Sequence, residues 1–435
     1  MSENKKLFIF LSTHLIIWTL IPSFSNQNLP LDTIEALAWG SNMDWGFNKH
    51  PPMSAIAVEL FYLLFGSQDW AYYLLSQLFV IFSFYIVYVF SKQFLKKEQN
   101  AIFCVLLLEG IFFYNFTTPE FNVNICQLPF WALCIHYCWK CVENNKIQNY
   151  FLLGVFAAFG FLSKYLFAYL ILALGFFLIV LMFKEKKFKY KLIVTILVFA
   201  VTILPHLIWL NENNYITIIY GINRTGNDYH LLNHLINPVM FLVKQLGLLI
   251  FFLILSFLLI SKIKLKINVN NQKTIFLLLS TIGPVALLFL TSVVMGAKIK
   301  TMWLTPFYLF FGVLVVYLYE EYINPNKQGN FIKLFTILFV LAPVIYFYIS
   351  VSKDSKRTSY PGKQIAHFIE TKISNSSTLI SGDEWHAGNL SYHLKSRPKW
   401  VGYKKTFNNG ICFAEFPPVE FKTKKAEKNT ICLDK

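Results

Sequence analysis

Long apolar runs separated by short polar connections repeat along most of the chain. Runs near 7–24, 70–90, 101–116, 125–142, 150–163, 166–183, 192–210, 239–260, 274–294, 302–319 and 331–350 each suit a helix within a bilayer. They predict about eleven transmembrane helices. The first long connection, residues 25–69, carries two shorter apolar stretches. Leu31, Ile34, Leu37 and Ala38 recur at helical spacing, with Asp32 and Glu35 on the opposite face. Residues 53–66 form a second helix, too short to span comfortably. Both read as interfacial helices along the outer leaflet, with Asp32 as a cap of the first. Beyond residue 350 the pattern changes. Segments 361–373, 377–381, 384–394 and 398–402 predict helix, strand, helix, strand. The expectation is an all-α polytopic membrane domain over 1–350, followed by a small external α/β domain over 351–435.

Composition supports the membrane reading. Hydrophobic residues are 56% of the 435 and charged residues only 14%, too few to solvate a water-soluble surface of this size. A net charge of +16 would suggest nucleic acid in a soluble chain. Here the basic residues sort by connection instead, and no nucleic-acid partner is expected. The N-terminus and alternate connections hold Lys5 and Lys6, Lys92, Lys96 and Lys97, Lys140 and Lys146, and five lysines between 184 and 191. Lys262, Lys264, Lys266, Lys273 and Lys327 continue the series. The opposite connections hold only Lys49, Lys164, Arg224, Lys298 and Lys300. The positive-inside rule puts the N-terminus in the cytoplasm and the C-terminal segment outside. No A-x-A site follows the first run, so it reads as a retained helix rather than a cleaved signal.

Cysteines divide by environment. Cys104, Cys126, Cys134, Cys138 and Cys141 fall in or beside apolar runs, as small packing residues. Cys412 and Cys432 lie in the outer segment, where a disulfide is permitted though spacing does not establish one.

The polar residues of the opposite connections carry the candidate chemistry. The first connection holds Asp32, Glu35, Asp44, Lys49 and His50 among Trp39, Trp45 and Phe47. Glu120 lies in TTPEFNVN, and Lys164-Tyr165 follow GFLS. His206 lies in PHLIWLNENN; Arg224, Asp228 and His230 lie in INRTGNDYH; Lys298 and Lys300 lie in GAKIKTMW. Glu109 sits inside a run and fits either a paired structural carboxylate or a site residue. Carboxylates from two connections and cations from others suit a reaction with a phosphate leaving group. The cations would hold the phosphate, and a carboxylate would deprotonate or orient an acceptor hydroxyl. No Walker loop, G-x-G-x-x-G or H-E-x-x-H is present. In the C-terminal segment Asp383, Glu384, Trp385 and His386 offer an acceptor contact or, more simply, a helix cap. The lysines at 422–428 suit anionic envelope polymers or plain solvation.

The segment LPLDTIEALAWGSNMDWGFNKHPP resembles the first external loop of bacterial glycosyltransferase family 39-like membrane enzymes. These are GT-C enzymes, grouped with the protein O-mannosyltransferases and the lipid A aminoarabinose transferases. TTPEFNVNICQLPFWAL, GFLSKY, LPHLIWL, AKIKTMWLTPFY and SGDEWHAGNLSYHL extend the likeness in order along the chain. Two departures stand out: Thr33-Ile34 separate Asp32 from Glu35 where relatives have adjacent acids, and Phe47-Asn48 soften a tyrosine-rich stretch. The resemblance implies a GT-C fold in a bacterial cytoplasmic membrane and a polyprenyl-phosphate-linked sugar donor. It implies Asp32 as catalytic acid–base, Glu35 beside it, and an inverting single displacement. Lys49, His50, Glu120, Lys164, Tyr165, His206, Arg224, Lys298 and Lys300 become the substrate-binding candidates. The acceptor would be an envelope lipid such as lipid A, or a protein or polymer. Some relatives hold a divalent cation near the acidic site, but no ligand set is assigned here. A transporter or flippase of a lipid-linked sugar is the alternative, for which internal repeats and a midplane site are expected.

Overall fold

The computed structural model describes residues 2–185, 190–225, 230–264, 267–323, 328–352, 356–372, 377–402, 410–413 and 431–434. Asp228, the lysines at 186, 187, 189, 266 and 327, and the lysine run 422–428 lie outside them.

The chain begins with α1 (Glu3–Ser25), α2 (Leu31–Gly40), α3 (Met53–Phe65), α4 (Asp69–Phe94) and the short α5 (Ala101–Leu106). There follow α6 (Val123–Asn144), α7 (Ile147–Ser163), α8 (Ala168–Glu185), α9 (Leu192–Glu212) and α10 (Ile216–Arg224). The bundle continues through α11 (Asn233–Leu248), α12 (Ile250–Leu259), α13 (Gln272–Met295), α14 (Phe311–Tyr319) and α15 (Gln328–Ser352). Six described helices are long and apolar enough to cross a membrane: α1, α4, α8 with its preceding turn, α9, α13 and α15. The number reaches eight if α11–α12 and the 301–308 turn with α14 each count as one bent span. The protein is a multi-pass membrane protein.

Three of the eleven expected runs are shorter, more polar or broken in the structure. Residues 125–142 lie in the continuous α6, made less apolar by Asn124, Gln127, His136 and Lys140. Residues 150–163 form α7, a helix of 17 residues. Residues 101–116 break after Leu106 into 3-10 turns. At the break Glu109 turns inward, where its Oε1 lies 2.9 Å from His14 Nδ1 in α1. Asn115 Nδ2 donates to Glu109 Oε2 at 3.1 Å. Both His14 and Glu109 are buried, so the carboxylate takes the paired, structural role. Gly110 packs against the α12 backbone, where an added Cβ would lie 2.6 Å from the Phe252 nitrogen.

Contacts between connections sort the helix ends into two sets. At one end Lys96 lies 3.4 Å from Glu321, Ser261 N–H donates to Tyr322 O, and Lys273 Nζ donates to Gln93 O. At the other, Asp32 meets Glu120, Lys298 N–H donates to Thr225 O, and His206 meets Trp45 O. These are the same two groups of connections that the distribution of basic residues separates.

The C-terminal segment adds α16 (Gly362–Lys372), β1 (Leu379–Ser381), α17 (His386–His393), β2 (Lys399–Trp400), β3 (Gly410–Phe413) and β4 (Ile431–Asp434). The sheet order is β2-β1-β4-β3, with β1 parallel to β2 and antiparallel to β4. The β3–β4 register sets Cys412 opposite Cys432. This segment is tied to the first connection by buried polar contacts. Asn28 Nδ2 donates to Asn389 Oδ1 at 2.8 Å, and Tyr392 OH donates to Asp69 at 2.8 Å. Arg397 donates to Glu59 at 2.7 Å and to Leu37 O at 2.8 Å, with its guanidinium over the Tyr62 ring.

Candidate active site

The site is organised by α2. Pro30 occupies the N-cap position in extended backbone, so Asp32 sits in the first turn and does not cap the helix. A proline there leaves helical N–H groups without a side-chain partner, and an acidic residue in the first turn complements the helix dipole. The Asp32 N–H finds its partner across the bundle, donating to Glu120 Oε1 at 3.0 Å. Thr33 Oγ1 donates to Phe121 O at 3.1 Å. Two connections, 25–69 and the one bearing Glu120, are therefore stapled together at Asp32. Ile34, Leu37 and Ala38 are buried against α3 and α17. Protein encloses α2, correcting the expectation that it lies along the leaflet. α3 does leave Leu60, Leu63 and Leu64 exposed, as a lipid-facing helix would.

Asp32 and Glu35 face a small cavity with Trp39, His50, Ser54 and Asn122. Burial raises the Asp32 carboxyl above its usual range, opposed by the positive charges of Lys164, Lys49, Arg357 and Arg224. Burial and the nearby Asp32 charge likewise raise Glu120. Glu35 is pushed up to about 7, again mainly by burial, although Lys49 Nζ donates to its Oε1 at 2.9 Å. Glu35, at about 7, and Glu120, at about 8, therefore sit where giving up or taking a proton near neutrality is inexpensive.

Cations converge on the same place. Lys164 is buried; its Nζ donates to Asn124 Oδ1 at 2.6 Å and lies 5.3 Å from the Trp303 ring. Burial lowers its pKa to about 7, with Asp32 opposing and Arg224 and Lys300 reinforcing the drop. Lys300 is lowered by burial and then by Arg224 and Lys298. The Arg224 guanidinium lies 5.8 Å from the Tyr220 ring. Among the described residues none of Lys164, Arg224, Lys298 and Lys300 ion-pairs with a carboxylate. Lys49 differs, lying 2.9 Å from Glu35 and 3.4 Å from Glu384.

Other candidates take different positions. His50 packs edge-on to Trp39 and Tyr220; burial, then Lys164, Lys49 and Arg224, lower its pKa to about 3, so its ring is neutral. Tyr165 and His206 meet each other, OH to Nε2 at 2.7 Å, and His206 Nδ1 lies 2.6 Å from Trp45 O. They form a strut beneath the first connection and stand apart from the Asp32 cavity. Asp44 accepts from the N–H of Trp45 beside it. Asp383 accepts from the N–H groups of Trp385 and His386, the capping role, while Glu384 turns toward Lys49. Arg357 and Tyr220 reach the site from segments that no motif marks, and Asn124 reaches it from within TTPEFNVN without having been singled out. Among the described residues no three His, Cys, Asp or Glu side chains converge as metal ligands would.

Residues 49–209 match the family described as dolichyl-phosphate-mannose-protein mannosyltransferase. The fold aligns with the crystal structure of ArnT from Cupriavidus metallidurans bound to undecaprenyl phosphate at a TM-score of 0.66. Identity is 11%, over 93% of this chain and 87% of that one. The apo structure of ArnT aligns at 0.63 and 11% identity, over 92% and 86%. No curated protein matches the chain by sequence. The chain has the GT-C fold, in keeping with the resemblance carried by the first-loop motif.

Proposed function

We propose that this GT-C chain is a membrane glycosyltransferase that moves a sugar from a polyprenyl-phosphate-linked donor to an envelope acceptor outside the cytoplasmic membrane. The observation that carries the reading is the group Lys164, Arg224 and Lys300 around the raised carboxyl of Asp32, with Lys298 beside Lys300, none of which pairs with a carboxylate among the described residues. Of these only Lys164 is buried; a buried charge without a counter-charge is costly, and an anionic substrate is its natural complement. The ArnT structure bound to undecaprenyl phosphate supports a lipid phosphate as that anion.

In this reading an acceptor oxygen attacks the anomeric carbon as the bond from that carbon to the phosphate oxygen breaks. The acceptor proton passes to Asp32, whose raised pKa makes it a better base. Charge developing on the departing phosphate is met by Lys164, Arg224 and Lys300, with Lys298 adding to the field. Glu120 orients the start of α2 through the Asp32 N–H, and Glu35 holds Lys49. A single displacement inverts the anomeric centre. The test compares envelope glycans and lipid A of deletion and wild-type cells by mass spectrometry. Loss of one defined sugar is expected, and identical profiles under conditions where the protein is produced would contradict the reading.

A further inference from the structure

Glu384 reaches the site from the C-terminal segment, just before α17. Asp383 has its oxygens taken by the Trp385 and His386 N–H groups and by the His386 ring. One residue further on, Glu384 is buried and points the other way. Its Oε1 accepts from Asn48 Nδ2 at 2.7 Å and lies 3.4 Å from Lys49 Nζ. The same ammonium donates to Glu35 Oε1 at 2.9 Å. A single cation thus stands between two carboxylates from different parts of the chain. The segment bearing Glu384 is anchored independently by the Arg397–Glu59, Asn28–Asn389 and Tyr392–Asp69 contacts. Its position does not depend on Lys49.

Two carboxylates on one ammonium leave surplus negative charge where an anionic donor must bind. A phosphate reaching Lys49 has to displace one of them, and the longer contact belongs to Glu384. We infer that Glu384 is a positioning residue acting through Lys49: it holds the ammonium in the empty site and yields it to the donor phosphate, so that its charge sets donor affinity. This adds Lys49, a substrate-binding candidate of the first connection, to the donor contacts of the proposed function and rests on that addition.

The test is equilibrium binding of undecaprenyl phosphate to the full-length protein in nanodiscs. Glu384→Gln keeps an oxygen for Asn48 and removes the charge. It is expected to tighten binding about fivefold, the scale of one partly exposed charge pair. Glu384→Ser should tighten binding as well, which guards against a fault particular to the Gln variant. Glu384→Asp, which keeps the charge, should not. In a Lys49→Gln background the effect of Glu384→Gln should vanish. A merely structural role for Glu384 predicts weaker binding in both neutral variants, and weaker or unchanged binding overturns the inference. If Lys49→Gln alone binds the lipid phosphate as tightly as wild type, the donor role of Lys49 is what fails.

Discussion

Lys164 offers a test that uses pH as the perturbation. Burial holds its ammonium near a pKa of about 7, in competition with the opposing charge of Asp32. A pKa lowered in the free protein means that raising pH through 7 removes the charge a phosphate would bind. If only the ammonium binds, the dissociation constant should rise about 25-fold from pH 6.5 to 8.5, from the proton-linkage relation. The ceiling is the worth of one charge-assisted hydrogen bond, about 1.5–3 kcal/mol or roughly tenfold to 150-fold. The assay is binding of a polyprenyl-phosphate sugar with a neutral sugar, whose phosphodiester keeps one charge throughout this range. Glu35, with a pKa of about 7, gains negative charge in the same window and also weakens binding. Lys164→Gln separates the two, because it retains Glu35 and should lose most of the slope. A flat profile in wild type, or the same slope in Lys164→Gln, would refute the assignment.

Further outcomes follow from other contacts. Arg224→Gln and Lys298→Gln should each weaken donor use, by about tenfold or more if the group touches phosphate directly, measured as KM for the lipid donor. Replacing His14 by Leu leaves Glu109 with Asn115 alone and should cost about 1–3 kcal/mol in thermal unfolding in detergent. Glu109→Gln, which can keep both hydrogen bonds, should cost less. Gly46→Ala would drive a Cβ into the Trp209 ring and displace the connection that bears Lys49. Transfer should fall while membrane insertion stays normal, as read by activity and by yield in the membrane fraction.

The gathering of Asp32, Glu120, Lys164, Arg224 and Lys300 was legible because basic residues and helix lengths assign connections to ends without knowledge of packing. What surrounds each residue was not. Asp32 resembles a helix cap in sequence, yet Pro30 two residues earlier takes that position and frees the carboxylate for the cavity. The apolar stripe of α2 is indistinguishable from that of an interfacial helix, and only α17 folding over it shows that protein fills the place of lipid. The break at Glu109 depends on His14, distant in sequence. Glu384 and Asp383 are adjacent acids, and their opposite orientations come from a turn whose N–H groups claim one of them. Arg357 reaches Asp32 from beyond the last span, with no local pattern to announce it.

The central claim is that Asp32 takes part in the chemistry, and Asp32→Asn tests it most directly. The substitution keeps size and leaves the helix start intact, since Pro30 is the cap and the Asp32 contact to Glu120 is made by the backbone. The measurement is single-turnover transfer from a radiolabelled polyprenyl-phosphate sugar to a hydroxyl acceptor, by purified protein in nanodiscs, with donor binding measured in parallel. The account predicts retained donor binding and transfer slowed by about 10²-fold or more, the scale of lost general-base catalysis. Transfer at close to the wild-type rate, with donor bound normally, would contradict it.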